Sequence, residues 1–339
     1  MLTLTLFVPG LPPADDAHSR LAAQPALYGW LCRGRLELQR AIDADAALAA
    51  WFGLADCEEL PHAALCAIGA GIDPLDAVWL HADPVHLHAQ RTELVLVDAA
   101  RLELDASESR ALVDALNAHF TQDALRLHVL SPSQWIVQSQ SALHMRTVAL
   151  SAAAGRNVDP LLPRGADALL WHRRSNEAQM LLHAHPVNAA REARGAPAIN
   201  SVWWWGVGRA PTCVRAFDVV WGEGPFLHGL ARCAGAATRQ LPPDAAVWLG
   251  EAVPGQHLAV LGHGSFGTHE DTATLETKWI APLADAVKQG RIESVTLATF
   301  AHGQRAAWRL TRADLWKLWR RHPQLPRPWL GHTQAQDRA

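Results

Sequence analysis

Tyrosine occurs once and methionine three times in the 339 residues. Lysine is nearly as scarce: Lys278, Lys288 and Lys317 are the only three among 30 basic residues, and the rest are arginine. No basic excess exists either, because the net charge is -3 at pH 7. That argues against a general nucleic-acid binder. No apolar run reaches the length needed to span a membrane. The five cysteines, Cys32, Cys57, Cys66, Cys213 and Cys233, are odd in number and contain no CxxC pair. A disulfide framework and a zinc site made of cysteines alone are therefore not expected. The opening MLTLTLFVPG lacks a basic leader and a small-residue cleavage site, and its Leu/Thr alternation suits a first strand. The expectation is a cytoplasmic protein with neither a nucleic-acid nor a membrane partner. GxSxG and Walker A motifs are missing.

What is present is apolar bulk. Hydrophobic residues make up 49% and charged residues 19%, enough for a large core and against global disorder. The length allows two ordinary domains, or one with an insertion. Tryptophan is abundant at 15, and each buried indole needs a partner for its N–H. Strand signals occur at 2–9, Glu93–Asp98, Leu125–Leu130, Trp135–Gln138, Ile199–Trp205, Val247–Leu249, Leu258–Leu261 and Ser294–Thr299. Helical spacing predicts helices over Ser19–Cys32, Ala44–Phe52, Ser107–Phe120, Asp167–Ala184, a short Ala189–Arg194 capped by Asn188, Leu227–Ala234, Thr272–Gln289 and Arg312–Arg321. Strands alternate with helices at both ends, which implies an α/β core, while the middle is denser in strands. Trp203 to Trp205 occupy both faces of one strand, so that strand should be covered on both sides.

Three constellations could carry chemistry. His81, Asp83, His86 and His88 form the first. On a strand His86 and His88 share a face, a two-ligand arrangement for a transition metal, although local spacing fixes no third ligand. The second is the polar block Asn176–Gly208. Asn176 and His183 share a helical stripe. His185, Asn188 and Arg191 cluster at helix ends, Asn200 follows, and Gly206 and Gly208 flank Val207. Arginine and helix-start amides are natural receptors for a phosphate or carboxylate, so Asn176, His183, His185, Asn188, Arg191, Asn200, Gly206 and Gly208 are the candidate ligand-binding set. The competing reading is a hydrogen-bond network joining core to insertion. The third constellation, His263–Asp271 (HGSFGTHED), follows a strand, where α/β proteins place functional loops.

The segment HPVNAAREARGAPAINSVWWWGVG, with PHAALCAIGAGIDP upstream, HMR, VDPLLPRG and LHGLARCAG in order, resembles the archaeal-type, cofactor-independent phosphoglycerate mutases of the alkaline phosphatase superfamily. The whole chain more closely resembles the bacterial RpfE-type regulatory proteins. The resemblance implies a mostly parallel sheet flanked by helices with a smaller inserted α+β domain. Its expected boundaries are a core at 1–80 and 180–339 and an insertion at 81–179.

The family's chemistry requires two divalent metals held by Asp and His, and a Ser nucleophile. This chain departs at those places. The first strand runs into Val8-Pro9-Gly10 instead of Asp-Gly, with Asp15 and Asp16 out of register. The late Asp-x-x-Gly-His element reads Ser265-Phe266-Gly267-Thr268-His269, and His302 has no Asp before it. No catalytic serine is identified. The expectation is a relative with a degenerate metal centre and no cofactor, binding a small phosphorylated or carboxylate ligand, or a protein partner, in a regulatory role. The alternative is an active mutase or phosphatase holding Mn or Zn through relocated ligands such as His263, His269, His86 and His88.

Overall fold

The computed structural model describes residues 1–11, 23–90, 93–98, 102–262 and 269–326. In chain order the strands are β1 (Leu2–Phe7), β2 (Arg35–Arg40), β3 (Val78–Ala89), β4 (Leu94–Asp98), β5 (Leu125–Ser131), β6 (Gln134–Ser139), β7 (Met145–Arg146) and β8 (Arg164–Gly165). They continue with β9 (Ser201–Gly208), β10 (Val219–Trp221), β11 (Ala237–Arg239), β12 (Gly255–Val260), β13 (Ser294–Ala301) and β14 (Gln304–Thr311). Two compact units result. One is Met1–Asp56 together with the chain from Cys213, and the other is Cys57–Thr212.

The discontinuous unit is built on a seven-stranded sheet, ordered β11-β10-β12-β1-β13-β14-β2. β1 lies between β12 and β13 and is parallel to both, with Thr3 opposite Gln256 and Ser294. β10 and β11 extend the parallel part, while β14 runs antiparallel to β13 and to β2. Period-two alternation along β1 sends Leu4 and Leu6 to a face packed with Trp30, Trp221, Trp279 and Trp308. Phe7 takes the other face and meets Trp51 edge-on at 5.6 Å. Both faces are thus covered, as parallel strands require. The indoles find partners: Trp30 Nε1 donates to the Trp308 carbonyl at 2.9 Å, and Trp308 Nε1 to the Gln324 carbonyl at 2.8 Å. Trp171 and Trp248 are exceptions, with buried Nε1 atoms lacking a hydrogen-bond acceptor among the described residues. Trp171 packs edge-on to Trp204, and Trp248 edge-on to His257.

The continuous unit holds a five-stranded antiparallel sheet in which β3 pairs β4, β6 and β9, and β5 pairs β6. Helices Ala106–Phe120 and Ala168–His183 supply Leu112, Leu116, Phe120, Trp171 and Leu182 to its core. Asp105 and Glu108 form a capping box on the first of these helices. Trp204 joins this core, while Trp203 enters a second cluster with Val85, Leu96 and Val158. Trp203 and Trp204 are buried as expected, and Trp205 is half-buried.

Several expectations need correction. The inserted unit is wider at both ends than 81–179. The expected boundary at 80/81 cuts β3 and leaves β9 in the core, but the two strands pair with each other, and the helices at 168–193 pack on the same sheet. Val247–Leu249 lies in a helix, Ala245–Glu251, because Asp244 caps it by accepting from the Val247 amide. Three apolar residues carry too little periodicity to tell strand from helix. The helix expected at Arg312–Arg321 is absent: β14 ends at Thr311 and a single 3-10 turn, Asp314–Trp316, follows. His185, not Asn188, caps the short helix, which spans Pro186–Ala193, because Pro186 sits in its first turn. The Ser19–Cys32 expectation is met by a helix over Pro25–Arg33, and its beginning falls outside the described residues.

Candidate functional site

A cluster of buried polar side chains lies inside the continuous unit. The helix His62–Gly69 (HAALCAIG) is almost wholly buried, and its four-residue spacing puts His62 and Cys66 on one face. On β3, the two-residue spacing puts His81 and Asp83 on one face. The two pairs meet. His62 Nδ1 lies 2.8 Å from His81 Nε2, and Cys66 Sγ lies 3.5 Å from His62 Nδ1. On the other side of the His81 ring, Nδ1 faces Asp83 Oδ1 at 3.6 Å. Asp83 is held in place, accepting from the Trp135 amide at 3.0 Å and from Trp205 Nε1 at 2.7 Å. Trp205 stacks on His81 with centroids 4.2 Å apart and planes 13° apart.

Gly206 explains how β9 passes this cluster. Its φ is +66°, and a Cβ there would lie 3.1 Å from His62 Cβ and 3.3 Å from His81 Cδ2. A Cβ on Gly208 would come within 2.5 Å of Pro61. Both glycines expected for ligand approach thus serve close packing of strand on helix.

Burial alone would push the Cys66 thiol up. The charge and hydrogen bond of His62, with those of His81, outweigh it and hold the thiol at about 7. Burial would lower the pKa of His81, but the Asp83 carboxylate prevails and raises it.

The 176–208 block is organised differently. Arg191 is fully buried, donating to Glu108 Oε2 at 2.6 Å, to the Pro197 carbonyl at 2.9 Å and to the Leu102 carbonyl. Asn188 Nδ2 donates to the carbonyls of Leu182 and Ile199, and Asn188 Oδ1 accepts from the Ile199 amide. Asn200 makes a two-way pair with the backbone of Leu87. His185 Nδ1 accepts from the Val187 amide, and His183 is exposed. These residues do not converge on one cavity. Asn176 lines a cavity of about 190 Å³ with Ser175, Gln179 and His172. His86 and His88 share a face of β3 as expected, with ring centroids 6.1 Å apart, but His86 Nδ1 is engaged with the Ala198 carbonyl at 2.8 Å. His263 lies outside the described residues, and His269 opens the helix His269–Leu275.

In the discontinuous unit a cavity of about 750 Å³ opens at the carboxyl ends of β10 and β12. Gly222, Glu223, Gly224, Gly262, Lys278 and Trp279 contribute to its wall. Open parallel sheets bind ligands at this end. A two-metal centre there would need several carboxylates. Among the described residues, the turns following β1, β10, β11, β12 and β13 supply two, Glu223 and Asp244, and Asp244 is engaged in capping the helix Ala245–Glu251. Asp15, Asp16 and His263 fall outside the described residues. The donors described do not fit a two-metal centre.

No family model matches the chain. By sequence it is similar to the 2,3-bisphosphoglycerate-independent phosphoglycerate mutase of Methanosarcina acetivorans, 25% identical over 192 residues, which covers 51% of this chain and 47% of the relative. The corresponding enzyme of Methanosarcina mazei is 27% identical over 166 residues, covering 45% and 41%. That of Methanothrix thermoacetophila is 34% identical over 94 residues, covering 26% and 24%. The aligned part is about half the length of these curated relatives, or less. By structure, the PH0037 protein of Pyrococcus horikoshii aligns with a TM-score of 0.59 at 15% identity, covering 91% of this chain and 87% of that one. No helix among the described residues is long and apolar enough to cross a membrane. The chain is thus similar in sequence to cofactor-independent phosphoglycerate mutases, and its fold is the mixed α/β, alkaline-phosphatase-type architecture.

Proposed function

We propose that this phosphoglycerate-mutase-like protein binds a small phosphorylated or carboxylate metabolite in the cleft at the strand ends, and serves a regulatory role instead of phosphoryl transfer. The observation that carries the reading is the composition of that cleft. A cavity of about 750 Å³ sits where such sheets bind ligands, Gly224 in its wall has open space where a Cβ would stand, and Lys278 stands on its side. The helix Pro225–Cys233 starts at its rim, with Gly224 as the capping residue, and a helix start favours an anion. Against this, Glu223, the one uncommitted carboxylate among the described residues of these turns, cannot neutralise two adjacent divalent cations. The likeness to mutases supports the ligand class, and the scarcity of carboxylates among the described residues supports the loss of the reaction.

This reading moves the ligand away from Arg191 and Asn188, whose side chains bond within the protein. The test is thermal unfolding with 3-phosphoglycerate in the presence of chelator. Ligand at 100 times its Kd should stabilise by about 2.7 kcal/mol. Lys278→Ala should abolish most of that gain without lowering the ligand-free melting temperature. Interconversion of the two monophosphoglycerates that chelator stops and Mn restores would refute the proposal.

A further inference from the structure

His62, Cys66 and His81 point three metal-binding atoms at one another, all within 4.8 Å, and all three residues are buried. This cluster belongs to the continuous unit, the proposed ligand cleft to the discontinuous one, and the two are independent proposals. We infer that His62 Nδ1, Cys66 Sγ and His81 Nε2 form a binding site for a borderline-soft divalent cation, with Zn(II) the ion whose coordination they match.

Spacing supports the inference. In a tetrahedral zinc site with Zn–N near 2.0 Å and Zn–S near 2.3 Å, neighbouring donors stand about 3.3–3.6 Å apart. Here the Cys66 Sγ to His62 Nδ1 edge is 3.5 Å, the His62 Nδ1 to His81 Nε2 edge is 2.8 Å, and the remaining Cys66–His81 edge is within 4.8 Å. A small opening of the two imidazoles admits the ion.

The surroundings of His81 support it as well. A metal-bound histidine normally turns its other ring nitrogen to a carboxylate. His81 Nδ1 faces Asp83 Oδ1 at 3.6 Å, is buried, and has no hydrogen-bond partner within normal reach. Asp83 in turn is fixed by Trp135 and Trp205. Charge closes the argument. Zn(II) with one thiolate leaves one positive charge, and the Asp83 carboxylate beyond His81 cancels it, so the site can be neutral at complete burial. Binding releases the thiol proton. A fourth position has a candidate in Gln134, whose side-chain amide lies 3.7 Å from Cys66 Sγ. Turned over, that amide presents its oxygen.

The test is a Co(II) titration of the full chain after chelator stripping. One equivalent should produce a thiolate-to-cobalt charge-transfer absorption with ligand-field bands of tetrahedral intensity, and Zn(II) should displace it. Cys66→Ser should remove the charge-transfer absorption, and His62→Gln should weaken binding by tenfold or more. Should either variant fail to fold, X-ray absorption of the zinc-loaded parent decides: one sulfur near 2.3 Å beside nitrogens near 2.0 Å supports the site. Absence of any sulfur scatterer, or a cobalt spectrum unchanged in C66S, would overturn it.

Discussion

Arg191 carries its charge at complete burial, and Glu108 makes that possible. The carboxylate answers two arginines: Arg191 at one oxygen and Arg194 at the other, each at 2.6 Å. Removing one partner of a buried pair strands the other charge, a loss of about 3–5 kcal/mol. Arg191→Ala is therefore expected to lower stability by that order in urea denaturation, without changing the response to ligand. Burial pushes the Glu108 carboxyl up, but hydrogen bonds from Arg194 and the Asp105 amide and the charge of Arg191 outweigh it and hold it below its usual range. A depressed folded pKa stabilises the native state above the unfolded value of about 4.3, and that gain is lost as pH falls through the folded value. Glu108→Gln should therefore flatten the acid limb of a stability–pH curve. The sequence displayed Arg191 and Asn188 as a dense polar block but hid Glu108, 83 residues upstream, so a satisfied network read as a binding surface. The same limit applied to the buried cluster. His62 and Cys66 are legible as a helical pair at four-residue spacing and His81 with Asp83 as a strand pair, yet nothing local says that the two pairs face each other.

One helix of the discontinuous unit shows what element-level reading can and cannot reach. Its periodicity over Thr272–Gln289 is plain in the sequence, and the helical span runs from His269 to Lys288. Within it Glu276–Ile280 widens into a π turn, with the Ala281 amide reaching back to the Glu276 carbonyl. Pro282 follows at once, and lacking an N–H it cannot continue the ordinary ladder. The turn also places Glu276, buried, at the start of the Pro25–Arg33 helix. There its two carboxylate oxygens accept from the Ala26 and Leu27 amides at 2.7 and 2.8 Å. A cap supplied from 250 residues away leaves no trace next to the helix that it caps. Glu276→Ala should cost about 1–3 kcal/mol, seen as a lower urea midpoint at unchanged slope. Glu276→Gln, which keeps one acceptor, should cost less. β14 escaped detection for a related reason. Gln304–Thr311 alternates only weakly, and its strand character rests on pairing with β13 and β2.

At the scale of the molecule, the α/β class and the discontinuous core were legible from strands and helices alternating at both ends. The boundaries were not, because they depend on the pairing of β3 with β9. The Cys57–Thr212 unit is continuous in sequence and has its own cores around Trp135, Trp204 and Trp203. Expressed alone, residues 57–212 should therefore unfold in one cooperative thermal transition. A broad, non-cooperative melt with dye-binding apolar surface would contradict the division.

The position of β1 between β12 and β13 bears on how the polypeptide is made. Leu2 to Phe7 leave the ribosome well before their partners: Gly255–Val260 and Ser294–Ala301 emerge some 250 and 290 residues later. At about 5–20 residues per second, the first strand waits on the order of tens of seconds with both edges unpaired. During that interval the 57–212 unit can already be complete. The apolar LTLTLF segment is thus a stretch of the nascent chain that a chaperone should cover during that wait.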